Sequence, residues 1–270
     1  MTGGRFADYR SSRPRLVESR RHCASDEGGE SGGRPSECDQ TPQVTFGQHR
    51  YIGRMKVGIL GGTGPQGRGL ARRLAAAGHD VLIGSRSAER AELIAAEYDQ
   101  TEGSGSVTGG SNSAAAVAEL VIVTVPYDGH ADLLSSLATE LAGKIVVDCV
   151  NPLGFDQRGP FPLRVAAGSA AQEAQQLLPE STVIAAFHHV SAVLLDDPTV
   201  DHFEDDVLVL GEDREAVAVV CELAATIPGA RGIYAGRLRN AGQVEALAAN
   251  LIAINRRYKT HAGLAITGVS

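Results

Sequence analysis

The chain has 270 residues, of which 43% are apolar and 21% are charged, and its formal net charge is −7 at pH 7. This length allows one large domain or two small ones around a sizeable core. The acidic balance argues against nucleic acid or an anionic membrane surface as a partner. No apolar run approaches the roughly 18 residues that a membrane span needs, and no signal-peptide core follows the N-terminal arginines. We therefore expect a cytoplasmic protein without nucleic-acid or membrane partners.

Residues 1–54 differ in composition from the rest of the chain. The stretch 25–42 is rich in Gly, Ser, Glu and Asp and has no apolar periodicity, so it would not bury enough surface to offset the entropy of ordering. Met55 then begins an apolar strand. We predict that residues 1–54 form a disordered extension, that 55–190 form a nucleotide-binding domain, and that 191–270 form a small C-terminal part. A regulatory arm is the alternative for the extension.

The first predicted element is an apolar strand, Lys56–Leu60, that runs into a glycine-rich turn. Gly62, Gly64 and Gly67 match the pattern G-x-G-x-x-G. In a Rossmann unit these glycines make the turn, let the backbone approach a pyrophosphate, and let the helix pack on the strand. The pyrophosphate then rests on the helix N-terminus. The pattern predicts a dinucleotide site, and a glycine-rich turn without a ligand is the alternative.

The next two elements complete a βαβ unit and indicate which dinucleotide binds. A helical pattern at 68–77 is followed by an apolar strand at 80–84, and Ser85, Arg86 and, one helical turn on, Arg90 stand after it. A site for NAD usually has an acidic residue at this strand tip, which accepts the ribose hydroxyls. Hydroxyl and guanidinium groups suit a phosphate dianion instead. We therefore predict NADP as the cofactor, and solvated arginines at a helix start are the alternative.

Downstream segments alternate between strand and helix patterns. The predicted strands lie at 120–125, 144–149, 181–187, 206–210 and 232–234, and the predicted helices at 114–119, 132–141, 165–178, 214–225 and 238–258. One parallel sheet with helices on both faces accounts for this order. The predicted fold is α/β, a Rossmann-type, doubly wound and mostly parallel sheet with a small C-terminal α/β extension that ends in a long helix.

Groups that are missing from the sequence narrow its chemistry. The four cysteines form no C-x-x-C pair and no histidine spacing is typical of zinc, so we predict no metal. None of the six tyrosines has a lysine four residues later, which argues against the Tyr and Lys pair of short-chain dehydrogenases. Lys56, Lys144 and Lys259 are the only lysines, and the first two stand at the starts of predicted strands. We expect a reaction that needs no lysine as a general acid.

Several segments together resemble one family, the NADPH-dependent reductases of coenzyme F420, which is an 8-hydroxy-5-deazaflavin. They are residues 56–67, 84–87, 124–127 with His130, 185–190 and 238–240. The resemblance runs in order over residues 55–269, and it implies hydride transfer between NADP(H) and coenzyme F420 as co-substrate. In such a reaction the hydride passes directly between the two rings, so catalysis consists mostly of orientation and exclusion of water. No catalytic side chain is therefore predicted.

The same resemblance implies which residues hold the cofactors. They are Gly62, Thr63, Gly64, Pro65, Gln66 and Gly67 at the pyrophosphate, Ser85, Arg86 and Arg90 at the 2′-phosphate, Val125 and His130 beside the nicotinamide, and Ala186 at the deazaflavin crevice. His188 and His189 are expected at the same crevice, where they contact the deazaflavin ring or serve as structural histidines. Asn151 follows the strand at 144–149 and points toward the same sheet edge, where ligands of such folds bind, and a simple loop turn is the alternative. This chain departs from the family at Gly129, which lengthens the loop before His130.

The last predicted helix is apolar over more than one face. The residues responsible are Val244, Leu247, Ala248, Leu251, Ile252 and Ile254. A helix that is apolar over much of its surface is buried or paired. We expect it to close the deazaflavin crevice and to join a two-fold homodimer interface.

Other acceptors and a role without catalysis are the alternatives. A flavin, a ferric chelate reduced through flavin, or a cyclic imine would use the same NADPH site, because function lies in the site and not in the fold. A protein that senses NADP(H) without turning it over is the non-enzymatic alternative.

Overall fold

The computed structural model describes residues 53–98 and 105–269. Except for Gly53 and Arg54, the predicted N-terminal extension lies outside these residues. The strands are β1 (Lys56–Leu60), β2 (Asp80–Ser85), β3 (Ser106–Ser111), β4 (Leu120–Val123), β5 (Ile145–Asp148), β6 (Leu153–Asp156), β7 (Gly159–Pro162), β8 (Thr182–Ala185), β9 (Asp206–Leu210) and β10 (Arg231–Gly236). The α-helices are α1 (Pro65–Ala76), α2 (Ala88–Ala95), α3 (Asn112–Ala116), α4 (His130–Ser136), α5 (Ala138–Leu141), α6 (Ala170–Leu177), α7 (Ala192–Asp196), α8 (Arg214–Ala225) and α9 (Ala241–Tyr258). Short 3₁₀ turns, Tyr127–Gly129 and Leu238–Asn240, precede α4 and α9.

One eight-stranded sheet organises the described residues. Its strand order is β10-β9-β8-β5-β4-β1-β2-β3, and the strands from β8 to β3 run parallel. The order in which strands are added to the sheet reverses at β1, which pairs in parallel with β2 on one side and with β4 on the other. Ligands of doubly wound folds bind at such a switch point, beyond the carboxyl ends of the strands. The predicted Rossmann-type, mostly parallel architecture is confirmed.

The strands β9 and β10 depart from the single parallel sheet that the pattern predicts. They are parallel to each other, but β9 runs antiparallel to β8, with Ala185 opposite Leu210. A parallel return needs a crossover that brings the chain back along the sheet, usually through a helix. The helix after β8 is α7, which has only five residues and packs on α1 instead. The chain therefore enters β9 at the carboxyl edge of β8 and runs the other way.

Some elements are not predicted by the sequence patterns, or are predicted with different bounds. The strand β3 has the sequence SVTGGS, which carries a single strongly apolar residue. The antiparallel hairpin of β6 and β7 is partly exposed and contains two prolines, so it gives no alternating pattern. The predicted helix at 165–178 is shorter, because the side chain of Ser169 caps α6 by accepting a hydrogen bond from the backbone N–H of Gln172. Turns and caps thus set these bounds more than hydrophobic periodicity does.

The core lies on both faces of the sheet. Val57 and Ile59 of β1 are fully buried on one face with Leu70 of α1, whereas Leu60 is buried on the other face with Leu134 of α4. Strands buried on both faces read as continuous apolar runs, which is why β1 and β4 are clear in the sequence. Among the described helices, none is long and apolar enough to cross a membrane.

Candidate active site

The glycine-rich turn after β1 is shaped by close packing on one side and open space on the other. Gly61 has a positive φ of 68°, so the left-handed turn residue precedes the G-x-G-x-x-G pattern. A Cβ on Gly67 would collide with the backbone of Gly62, so α1 packs directly on the turn. Gly64 has no atom within 4 Å of a Cβ position. The middle glycine of the pattern thus faces the open side, where a ligand can approach the backbone.

The first turn of α1 offers unsatisfied donors on that open side. Gly64 is the N-cap residue and supplies no side-chain cap, and Pro65 occupies the first helical turn. Among the described residues, the backbone N–H groups of Gln66 and Gly67 have no acceptor. Free N–H groups and the positive end of the helix dipole favour an anion. The residues present therefore fit the pyrophosphate of a dinucleotide.

Two hydrogen bonds hold the turn in this shape. The side-chain oxygen of Asn112 accepts from Gly61 N at 3.1 Å, and the carbonyl of Gly84 accepts from Gly62 N at 3.0 Å. Asn112 is buried at the start of α3, next to the end of β3. No motif in the sequence includes Asn112, and its only signal is a polar side chain at the carboxyl end of β3, a strand that the apolar pattern does not predict.

The tip of β2 presents two exposed guanidinium groups. Ser85 is buried, and its hydroxyl accepts from Ser87 N at 3.3 Å, while Arg86 and Arg90 are exposed. Within the described ranges neither arginine forms an ion pair. Glu89 lies between them in the sequence, and its carboxylate accepts from the Ser87 hydroxyl at 2.8 Å. Arg86 is thus free to pair with an added phosphate.

A group of titratable residues, most of them buried, lies at the carboxyl ends of β4 and β5. This group, which we name the His130 cluster, consists of Tyr127, His130, Asp148, Glu173 and Glu245. The Nε2 atom of His130 is 2.6 Å from Asp148 Oδ2, and its Nδ1 atom is 3.3 Å from Glu173 Oε2. Tyr127 donates to Glu173 Oε1 at 3.4 Å. The imidazole of His130 and the carboxylate of Asp148 are fully buried.

The neighbours of His130 decide its charge. Burial by itself would lower the pKa of His130, but the hydrogen bonds and charges of Asp148 and Glu173 outweigh burial and raise that pKa. A protonated imidazole donates from both nitrogens, which matches the two carboxylates that face it. The prediction that His130 flanks the nicotinamide stays a prediction. Its ring nitrogens both face carboxylates, whereas the neighbouring Val125 is half-buried and packs against Gly61.

Glu245 joins the cluster from α9 and is almost fully buried. Its carboxylate accepts from the first backbone N–H groups of α6, Ala170 N at 3.0 Å and Ala171 N at 3.1 Å. Burial raises the pKa of Glu245 to about 7, although these two hydrogen bonds oppose the change. The last helix is therefore fastened to the α6 N-terminus by a group that changes charge near neutral pH.

The residues after β8 form a second wall of the same edge. This segment, residues 186–190, is called the β8 turn here. Ala186 and Phe187 are fully buried, and Phe187 has a left-handed φ of 62°. The amide of Gln66 donates to the Phe187 carbonyl at 3.2 Å, and that of Asn151 donates to the His188 carbonyl at 2.7 Å. The predicted pyrophosphate residue Gln66 and the predicted crevice residues are thus brought together.

The two histidines of the β8 turn are buried and differ in their partners. His189 Nε2 donates to the carbonyl of Asp206 at 2.7 Å, whereas neither ring nitrogen of His188 has a hydrogen-bond partner among the described residues. Burial lowers the pKa of His188 to about 4, so its ring is neutral at pH 7. The backbone of Cys149 and Val150 opposes this shift, so the ring of His188 lies against the chain that follows β5.

Comparison with known proteins gives consistent matches. Residues 56–152 match the family described as NADP oxidoreductase coenzyme F420-dependent. The chain is 37% identical over 223 residues to the F420-dependent NADP reductase of Methanothermobacter thermautotrophicus, a match that covers 80% of this chain and 96% of the relative. It is 39% identical over 225 residues to the F420-dependent NADP reductase of Methanocaldococcus jannaschii, with 80% and 99% covered. A solved structure of a candidate F420-dependent NADP-reductase from Arthrobacter sp. FB24 is 28% identical with a TM-score of 0.65, and the match covers 78% of this chain and 100% of that one.

Proposed function

This chain belongs to the family of coenzyme F420-dependent NADP oxidoreductases, and on that premise we propose that it transfers a hydride between NADP(H) and the deazaflavin coenzyme F420. The proposal rests on the closeness of the glycine turn to the β8 turn. The open glycine turn at the start of α1 and the buried β8 turn share one sheet edge, and Gln66 links them by its hydrogen bond to Phe187. Two rings held at such an edge would meet face to face, as direct hydride transfer requires.

In this proposal the nucleotide binds along the carboxyl ends of β1, β2 and β4. The open face of Gly64 and the free N–H groups of Gln66 and Gly67 would hold the pyrophosphate, with Gly62, Thr63 and Pro65 shaping the turn. Ser85, Arg86 and Arg90 would hold the 2′-phosphate, which supports NADP over NAD. The bound nicotinamide ring supplies or accepts the hydride. Val125 and His130 would lie on its side of the edge.

The β8 turn would hold the deazaflavin. Ala186 and Phe187 are fully buried and exclude water from that side of the edge. His188 would contact the deazaflavin as a neutral hydrogen-bonding group and not as a cation, because burial lowers its pKa to about 4. Residues 55–190 would thus act as the NADP-binding domain, and 191–270 as the part that covers the crevice.

A direct assay tests the acceptor. Protein, NADPH and oxidised coenzyme F420 are mixed, and the loss of deazaflavin absorbance is followed. We expect the kcat/KM for coenzyme F420 to exceed that for FMN and FAD by about 100-fold or more, because a poor fit leaves buried polar groups unpaired. A ferric chelate with flavin is included as a second acceptor, since the chain is 33% identical over 197 residues to the rat metalloreductase STEAP3, although it spans only 37% of that protein. Comparable rates with FMN or with the ferric chelate would contradict the proposal.

We also propose that the protein is a cytoplasmic homodimer whose partners are small-molecule cofactors and not nucleic acid. The net charge of −7 supports the last point. Support for the dimer comes from α9, which leaves Ile252, Ile254 and Tyr258 at 37%, 39% and 72% exposure. Ile254 and Tyr258 are four residues apart and share one face of α9, whereas Ile252 faces another side. Exposed apolar side chains on a helix are typical of a subunit interface.

The mass of the protein in solution tests the dimer. We expect light scattering to give twice the chain mass, and the Ile252→Asp/Ile254→Asp variant to give the mass of one chain, because a buried unpaired carboxylate opposes association. Leu93→Asp is the matched control, because Leu93 is 73% exposed on α2 and its change should leave the mass unaltered. A wild-type protein of single-chain mass at micromolar concentration would refute the dimer.

A further inference from the structure

The segment that follows the β8 turn lies directly on the nucleotide-binding helix. The helix α7 packs along α1, and a Cβ on Gly69 would collide with Leu195. Glycine at this position lets the two helices approach at backbone distance. The chain on the far side of the β8 turn is therefore in contact with the same helix whose N-terminus forms the glycine turn.

Two arginines of α1 fasten that segment. Arg73 is buried and donates to four carbonyls around the C-terminal end of α7, those of Leu194, Leu195, Asp197 and Val200, at 2.6 to 2.9 Å. Arg68 pairs with Asp196, with N to O distances of 2.7 and 3.0 Å. Carbonyls at a helix end otherwise lack partners, so a buried guanidinium is a strong anchor there.

The β8 turn itself, which precedes this segment, is fastened by Gln66. Its amide reaches the carbonyl of Phe187, 121 positions away in the sequence, at 3.2 Å. Phe187 is fully buried with a left-handed φ of 62°, a conformation that a bulky residue adopts only when its surroundings impose it. Asn151 holds the next carbonyl, that of His188, at 2.7 Å. The carbonyls of the β8 turn are thus fixed from both the β1 side and the β5 side.

The backbone N–H and the side chain of Gln66 therefore face different parts of the site. Its backbone N–H remains free toward the open glycine turn, while its side chain is occupied by the β8 turn. We propose that Gln66 is a positioning residue that couples the two turns and so fixes the separation of the two rings. This inference rests on the proposed function. It differs from a role of the side chain as a pyrophosphate ligand, because the side-chain amide donates to the Phe187 carbonyl.

The test compares variants of Gln66. Gln66→Met keeps the length of the side chain and removes the donor. In the ligand-free protein, we expect hydrogen exchange of peptides covering residues 186–191 to quicken by about tenfold, the effect of one lost hydrogen bond. The kcat for coenzyme F420 reduction should fall about 10- to 100-fold through misplacement of the rings, while the KM for NADPH changes less than about twofold. Gln176→Met, at an exposed glutamine of α6, is the matched control.

Gln66→Glu adds a second measurement, the pH dependence of kcat, which would not change if the role of Gln66 were merely structural. A protonated carboxyl group donates to the Phe187 carbonyl, whereas the ionised group has no proton to donate. The ratio of its kcat to that of the wild type should therefore rise toward one as the pH falls through the pKa of the introduced glutamate. The same ratio for Gln66→Met should stay flat.

Three results would overturn the inference. One is unchanged hydrogen exchange at residues 186–191 in Gln66→Met together with a raised dissociation constant for NADPH, which would make the side chain of Gln66 a pyrophosphate ligand. Another is faster exchange with unchanged kcat, which would make the link structural only. The third is a flat pH ratio for Gln66→Glu. Failure of the proposed function is distinguishable, because the wild type would then not reduce coenzyme F420 while the exchange result would still be obtained.

Discussion

Replacement of Arg86 by alanine is expected to raise the KM for NADPH by a factor of about 10 to 150 and to leave the KM for NADH nearly unchanged. The physical reason is that a guanidinium paired with the 2′-phosphate contributes a charge-assisted hydrogen bond, and NADH has no phosphate to lose. Arg86 is exposed, and no ion pair involves it among the described residues. Its removal should therefore change nucleotide selection without lowering the melting temperature.

A charge reversal at the same position sharpens this test. Arg86→Asp should repel NADPH and offer the ribose hydroxyls of NADH an acceptor, so the ratio of kcat/KM for the two nucleotides should shift further than in Arg86→Ala. Arg214→Ala is the matched control, because Arg214 is also an exposed arginine at a helix start, that of α8. A wild type that uses NADH as well as NADPH, or a ratio that does not move, would show that NADP is the wrong assignment.

Replacement of His130 by phenylalanine is expected to lower the free energy of unfolding by about 3 to 5 kcal/mol. The change leaves the fully buried carboxylate of Asp148 and the nearby Glu173 without the cation between them. Denaturant unfolding measures the loss, and His261→Phe, at an exposed histidine, is the control. Addition of Asp148→Asn to His130→Phe should recover part of the loss, because it removes the unpaired buried charge.

The pH dependence of this effect has a definite sign. The folded state raises the pKa of His130 above 6.5, so the folded protein binds this proton more tightly than the unfolded chain does. The stabilisation is complete below pH 6.5 and is lost as the pH rises through the raised pKa. The difference in unfolding free energy between wild type and His130→Phe should therefore shrink above that pH. A difference that grows with pH would contradict a protonated His130.

Local patterns in the sequence already determine the nucleotide half of the protein. The strand β1, the glycine turn and the exposed Arg86 lie in the predicted places, and β9 and α8 match their predicted bounds to the residue. These features depend on hydrophobic periodicity and on the conformational freedom of glycine, which act over a few neighbouring residues. The family resemblance, which predicts coenzyme F420 as the hydride acceptor, also depends on short segments in a fixed order.

Only the tertiary structure decides how distant segments pair. The sequence does not show that β9 runs antiparallel to β8, nor that Gln66 reaches Phe187 across 121 positions. It also does not show that the histidine predicted beside the nicotinamide, His130, lies between Asp148 and Glu173, which stand 18 and 43 positions away. Sequence periodicity indicates which side chains are buried, but the partner of a buried polar group depends on which elements pack against it. That arrangement exists only once the whole sheet has formed.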